Sequence, residues 1–198
     1  YALIAYQTAW LKSHYPSEFM SSVLSCEMDN TDRIQVFVDD CKMLNLTVKK
    51  PDINTSIYEF KDENESTILY GLGAIKGIGK SLVESIITER NKGSFSSLID
   101  FCIRVGSNKI NSRILTTLIG SGAMDAIGTR EDLFSQIDPT LRKAEQVSER
   151  TESNMGDLFG EHEEVIAIDN QANKEEKRDI LLAEWNSLGF YLESHPIE

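Results

Sequence analysis

The sequence predicts a mainly α-helical chain carrying one small β-hairpin. Three observations lead there: apolar residues recur at helical spacing in most segments, a short β-prone stretch near residues 55–70 is broken by a polar turn, and glycine-containing steps separate the helical runs. With 198 residues, 40% of them hydrophobic, the chain can bury a core as one or two domains.

Leu3, Ile4, Trp10 and Leu11 predict a helix over residues 1–14 that stops before Pro16, and a second follows over residues 17–28; both are expected to be substantially buried. Asn30-Thr31-Asp32 opens a third, whose Ile34, Phe37, Val38, Cys41 and Leu44 share one apolar face. Leu46-Thr47-Val48 is β-prone. Residues 55–61 and 66–70 are then expected as the two strands of a hairpin around the turn Asp62-Glu63-Asn64-Glu65. Four short helices follow. Leu82, Val83, Ile86 and Ile87 mark residues 81–91, and Phe95, Leu98, Ile99 and Cys102 mark residues 94–104. Asn111-Ser112 caps a third with Ile114, Leu115, Leu118 and Ile119, and Thr129 with Asp132 caps a fourth. Asp138-Pro139 is expected to open one more. After about Arg150 the chain reads as an acidic linker, and order resumes near Lys174 in a last helix with Ile180, Leu181, Trp185 and Leu188 on one face, ending at Gly189.

A net charge of −12 is the wrong sign for a protein that coats nucleic acid, so any such contact must be local. Residues 66–113 hold seven basic side chains (Lys76, Lys80, Arg90, Lys92, Arg104, Lys109, Arg113) against three acidic ones, whereas residues 145–198 hold fourteen acidic and four basic. The two regions therefore have different tasks. Cys26, Cys41 and Cys102 are odd in number and widely spaced, which fits neither a disulfide framework nor a metal knuckle and suits a reducing cytoplasm. No apolar run reaches the ~18–20 residues needed to span a bilayer, so a soluble, cytoplasmic protein with no membrane partner is expected. The chain opens without Met and reads as an excised fragment.

The segment Ala74-Ile75-Lys76-Gly77-Ile78-Gly79-Lys80-Ser81 sets two glycines around an isoleucine at the mouth of an amphipathic helix. Glycine lets consecutive N–H groups point outward, and the helix start adds free donors and a positive dipole end. As a helix-hairpin-helix, Ile78 plugs the core while the turn amides, with Lys76 and Lys80, hold a DNA backbone phosphate. The predicted binding set is Lys76, Gly77, Ile78, Gly79, Lys80 and Ser81. Gly-Lys-Ser also ends a P-loop pattern, but the required first glycine falls on Ala74 and no later strand supplies a metal-binding aspartate. The glycines could equally make a tight turn that touches no ligand. Asp125-Ala126-Ile127-Gly128-Thr129-Arg130 repeats the arrangement with Ala126 and Asp125 in place of glycine and lysine, so Gly128, Thr129 and Arg130 form a weaker second set. Asp39-Asp40 and Glu163-Glu164 lack a companion histidine, and His14, His162 and His195 lie far apart; no catalytic residue and no metal site is predicted.

The run Tyr-Ala-Leu-Ile-Ala-Tyr-Gln-Thr-Ala-Trp-Leu-Lys-Ser-His-Tyr-Pro-Ser-Glu-Phe-Met over residues 1–20 resembles the late fingers region of the bacterial DNA polymerase III alpha-subunit family, the C-family replicative polymerases. Pro51-Asp52-Ile53-Asn54, the stretch from Tyr70 to Gly79, Leu118-Ile-Gly-Ser-Gly-Ala-Met-Asp125 and Leu188-Gly-Phe-Tyr-Leu-Glu-Ser-His-Pro196 match in the family's order. The resemblance implies a late fingers or little-finger region at 1–62, a tandem helix-hairpin-helix DNA-binding domain at 63–138, an acidic linker at 139–172, and at 173–198 a helix leading to an oligonucleotide-binding domain beyond the chain. It implies duplex primer-template DNA and other replisome subunits as partners. The Mg2+-holding palm carboxylates of the parent polymerase would lie upstream, so the fragment alone carries no cofactor and does not polymerise. Met155-Gly156-Asp157-Leu158-Phe159 is similar to the family's sliding-clamp peptide, with Met155 at the glutamine, which points to Asp157, Leu158 and Phe159 as clamp contacts. The rivals are a protein-interaction module with purely structural hairpins and a P-loop nucleotide-binding protein.

Overall fold

The computed structural model describes residues 1–152 and 174–192. Their order is α1 (Ala2–His14), α2 (Pro16–Cys26), α3 (Thr31–Met43), β1 (Thr47–Lys49), β2 (Lys61–Asn64), β3 (Thr67–Leu69), a 3-10 turn at Leu72–Ala74, α4 (Lys80–Arg90), α5 (Leu98–Val105), α6 (Ser112–Gly120), α7 (Arg130–Glu152) and α8 (Lys174–Leu188). The mainly helical class with a small hairpin holds. The clamp-like peptide with Asp157, Leu158 and Phe159 lies outside the described residues.

Local capping sets several helix starts. The Asn30 side chain accepts the Arg33 N–H, Ser97 that of Asp100, and Asn111 that of Ile114. Thr129 and Asp132 bond side chain to side chain at 2.7 Å, while the Asp132 N–H returns to Thr129 Oγ1.

The sheet differs from the expected hairpin. Strand β2 is the polar run at Lys61–Asn64, antiparallel to β3, and β1 adds in parallel on the other side of β3 with Val48 opposite Ile68. Residues 55–60, expected as a strand, are used otherwise. Carbonyls of Ile53, Thr55 and Ser56 accept from the Arg90 guanidinium, and those of Ile57 and Tyr58 accept from Leu72 and Gly73. Asn64 Oδ1 takes the Ser66 N–H, which tightens the real turn two residues late.

Three further expectations are corrected. Helix α1 buries no residue, and Trp10 is 41% exposed, stacked on His14 rather than on the core. Pro139 lies inside α7 instead of opening a helix, because Leu133, Ile137 and Ala144 on both sides of it are buried in the core and outweigh the lost hydrogen bond. On α8 the buried positions are Glu184, Ser187 and Leu188, and Trp185 is exposed beside Tyr191. That face follows from a close approach at Gly120, where a Cβ would come within 2.7 Å of Ser187 Oγ and 2.9 Å of the Ala183 carbonyl.

One cluster of buried side chains runs from Met20 through Leu24, Ile34, Ile68, Leu72, Phe101 and Leu118 to Phe190. Tyr70 sits in it fully buried, edge-on to Phe60 at 4.6 Å. Its hydroxyl has no partner among the described residues, and burial pushes the phenol above its ordinary value. Tyr70→Phe therefore removes an uncompensated polar group and is expected to raise the unfolding free energy by about 1 kcal/mol in urea melts; a loss of stability would show that the hydroxyl is hydrogen-bonded.

Candidate nucleic-acid interface

The first turn is pinned where β3 leads into α4. Leu72 and Gly73 donate to the carbonyls of Ile57 (2.8 Å) and Tyr58 (2.9 Å). Missing Cβ atoms permit this approach: one on Gly71 would lie 2.6 Å from the Glu59 carbonyl carbon, and one on Gly73 2.5 Å from the Tyr58 ring. Ile75 and Ile78 are buried and plug the turn into the core. Between them Lys76 and Gly77 face solvent. Gly77 has φ +79°, the left-handed region that costs other residues about 1–2 kcal/mol, and the space around it and around Gly79 is open.

Gly79 caps α4 with extended geometry and no side-chain bond. As a result the N–H groups of Gly77, Gly79, Lys80 and Ser81 have no acceptor among the described residues. Gly77 and Gly79 line a groove of about 440 Å³ whose walls also include Asp29, Thr31, Tyr58 and Lys76. The Lys80 ammonium stands 5.9 Å from the centroid of the Tyr58 ring, over its face. Free amides, a helix N-terminus and an ammonium on one open turn are groups whose chemistry suits an anion. Lys76 is placed differently: its N–H donates to Ser187 O at 3.0 Å, and its Nζ would lie 2.8 Å from a Cβ on Gly189. Its charge therefore sits at the C-terminal end of α8, where the helix dipole is negative.

The second turn, between α6 and α7, is closed. Both oxygens of Asp125 are taken by Arg130, at 3.0 and 3.1 Å, and Lys50 Nζ adds a bond of 2.7 Å. Arg130, 12% exposed at its side chain, also reaches Glu184 Oε2 at 3.5 Å. Positive φ falls on Gly122, where a Cβ would lie 2.5 Å from Arg130 Nη2; Ala126, which replaces Gly77 in the repeat, has none. Gly128 and Thr129 remain at the start of α7, Thr129 exposed, while the Arg130 guanidinium is turned inward. No parallel α/β sheet wraps the first turn among the described residues: β1 and β3 are three residues each, and buried Ile75 and Ile78 fill the place of a phosphate-enclosing loop.

A family model described as "Helix-hairpin-helix motif" matches residues 45–133. The whole chain aligns with DNA polymerase III subunit alpha of Xylella fastidiosa (44% identity, 17% of that protein), Vibrio cholerae (41%, 18%) and Escherichia coli K12 (40%, 18%). The chain belongs to the DNA polymerase III alpha-subunit family. It spans 17–18% of the length of these relatives.

Within this alpha-subunit segment, the basic residues counted in the sequence separate by use. Arg90 holds the carbonyls of Ile53, Thr55 and Ser56, and Arg104 holds those of Glu89, Gly93 and Ser94 together with Asp100. Lys92 pairs with Glu89 at 2.7 Å. Lys80, Lys109 and Arg113 have no carboxylate partner among the described residues. Sequence reasoning missed Tyr58, which sits 15 residues before Gly73 with no local signal, and missed the Lys50 and Glu184 partners of the second turn. Burial raises the Cys41 thiol to about 11, with Asp40 adding to the shift, and the Cys102 thiol to about 12, so both are packing groups rather than nucleophiles.

Burial alone would raise the Asp125 carboxyl, but hydrogen bonds from Arg130 and Lys50 outweigh it and hold the group below the ordinary carboxylate range. A depressed folded-state value stabilises the fold above the unfolded value of about 4, and that contribution is lost as pH falls through the folded one. Asp125→Asn is expected to cost about 2 kcal/mol near neutral pH, with the difference from the parent shrinking below about pH 4 in pH-resolved urea melts. A pH-independent difference would mean that the carboxylate charge is not what binds Arg130.

Proposed function

We propose that this chain grips duplex DNA by its backbone, without reading sequence, as part of a replicative polymerase. The observation that carries the reading is the first turn, where the N–H groups of Gly77, Gly79, Lys80 and Ser81 have no acceptor among the described residues, the space at Gly77 and Gly79 is open, and Lys80 has no carboxylate partner among the described residues. Those groups complement a phosphodiester oxygen, and amide contacts to phosphate carry no base information. A polymerase that copies every sequence requires that indifference. The family match and the helix-hairpin-helix match support the assignment. In this reading Ile78 anchors the turn, Lys76 sets its position against α8, and Gly128 and Thr129 offer a weaker second contact.

Nucleotidyl transfer and its Mg2+ belong, in this proposal, to carboxylates elsewhere in the parent polymerase. The described residues contain no group of three or more His, Cys, Asp or Glu placed to hold a metal ion. A second reading, contact with replisome polypeptides, draws on α1, which exposes Leu3, Ile4, Tyr6, Trp10 and Leu11. No helix among the described residues is long and apolar enough to cross a membrane.

Anisotropy of a labelled primer-template duplex tests the grip. Binding is expected to fall with salt, and Lys80→Glu to weaken it and lower the salt slope by about one. The double variant Gly77→Pro, Lys80→Glu is expected to abolish binding, because proline cannot adopt the positive φ of Gly77. Isotherms identical to the parent's, with circular dichroism unchanged, would transfer the function to the interaction reading.

A sliding-clamp tether at Asp157, Leu158 and Phe159 is part of the same proposal, supported by the resemblance of the peptide alone: an apolar pair on an acidic linker suits a hydrophobic groove. A labelled peptide of residues 153–162 is expected to bind a bacterial sliding clamp, and Leu158→Ala with Phe159→Ala to abolish binding. A parent peptide that does not bind removes the tether.

A further inference from the structure

We propose that Lys109 is a second phosphate ligand, so that the first turn holds not one phosphodiester but two neighbouring ones on the same DNA strand. The proposal rests on the DNA-backbone reading of that turn.

The geometry begins with the Lys109 ammonium, which donates to Ser85 Oγ at 2.8 Å, while Ser85 Oγ donates to the Ser81 carbonyl at 3.0 Å. Two hydrogen bonds therefore connect Lys109, from the loop between α5 and α6, to the first turn of α4, whose amides form the cradle. Ser81 and Ser85 lie one helical turn apart on one face. The ammonium retains two N–H donors beyond the one given to Ser85.

Its loop holds it there. Gly106 at φ +103° turns the chain after α5, the Lys109 N–H donates to the Gly106 carbonyl at 3.0 Å, and Ile110 is buried immediately afterwards. The side chain is exposed, as is Glu84, the acidic neighbour of Ser85, yet the two form no ion pair among the described residues. In this region Arg90 and Arg104 are turned inward and Lys92 is paired, whereas Lys109, like Lys80 and Arg113, has no carboxylate partner among the described residues. Lys109 is instead fastened by a neutral hydroxyl, which orients an ammonium without neutralising it. The ligand that completes such an arrangement is an anion beside the one at the amides of Gly79 to Ser81, and a polyanion with regularly spaced phosphates supplies both.

The test is the salt dependence of duplex binding by the 198-residue chain. Removing one cation that neutralises a phosphate lowers the slope of log K against log salt by about 0.9. Lys109→Gln is expected to lower the slope by about that amount and to weaken binding at physiological salt, Lys109→Arg to restore the slope, and Lys92→Gln to leave it at the parent value. Lys80→Gln serves as the marker of the cradle itself. A slope lowered by Lys80→Gln but unchanged by Lys109→Gln overturns the second ligand and leaves the hairpin grip standing. A slope unchanged by both overturns the DNA-backbone reading and this inference with it.

Discussion

The Arg130 guanidinium is the interaction on which the arrangement of this segment depends. It bonds both oxygens of Asp125, reaches Glu184 on α8, and occupies space that Gly122 leaves by having no Cβ. Withdrawing charges this far from water costs several kcal/mol per ion, and only full pairing with good geometry offsets it. Lys50 adds a bond to Asp125 Oδ2, the oxygen that Arg130 Nη2 also holds. Glu184 also accepts the Leu192 N–H, so the network extends into the chain beyond α8. Helix α8 thereby backs both turns: Glu184 faces Arg130 beside the second, and Ser187 accepts from Lys76 in the first.

That shared backing explains how a repeated sequence yields two unlike turns. Where the first repeat has glycine at Gly77, the chain takes a left-handed step and its amides open outward. Where the second has Ala126, that step is unavailable at low cost, and the left-handed residue moves to Gly122, ahead of the repeat. Asp125 stands at the position of Lys76, and its carboxylate draws Arg130 and Lys50 inward. The first turn leaves Lys80 exposed without a carboxylate partner among the described residues, whereas the second uses Arg130 and Lys50 as structure. The difference is consistent with one strong and one weak backbone contact.

Features governed by neighbours in sequence were legible in advance. The Asn30 and Asn111 caps, the Thr129–Asp132 box and the helical runs at α3, α4 and α6 follow from spacing within a few residues. The glycine turn was legible for the same reason, since positive φ and exposed amides are local properties. What stayed hidden depends on partners far along the chain. Arg90 and Arg104 counted towards a local basic patch, although Arg90 reaches carbonyls 34 to 37 residues away and Arg104 reaches the Gly93 carbonyl. Asp62 to Asn64 read as part of a turn because nothing in them announces that β3 will pair with them. Helix α1 read as buried because apolar residues show an affinity for cover without showing what supplies it. The burial of Glu184 exists only with Arg130, so no local pattern announces it.

The overall charge of −12 then takes on a role within the proposed reading. At physiological ionic strength, fields from exposed charges fade over about 8 Å, so in that reading a phosphate at the first turn responds chiefly to the groups it touches, the amides with Lys80 and Lys109. In the same reading the acidity of the chain opposes broad contact with a duplex and favours contact at one patch. A chain with the same cradle on a basic body would bind DNA over a broad surface, with many released counterions and slow dissociation. A moving polymerase needs contacts that are made and released at every nucleotide. A small cationic cradle on an acidic chain meets that need, because each backbone contact is local, indifferent to sequence and individually weak.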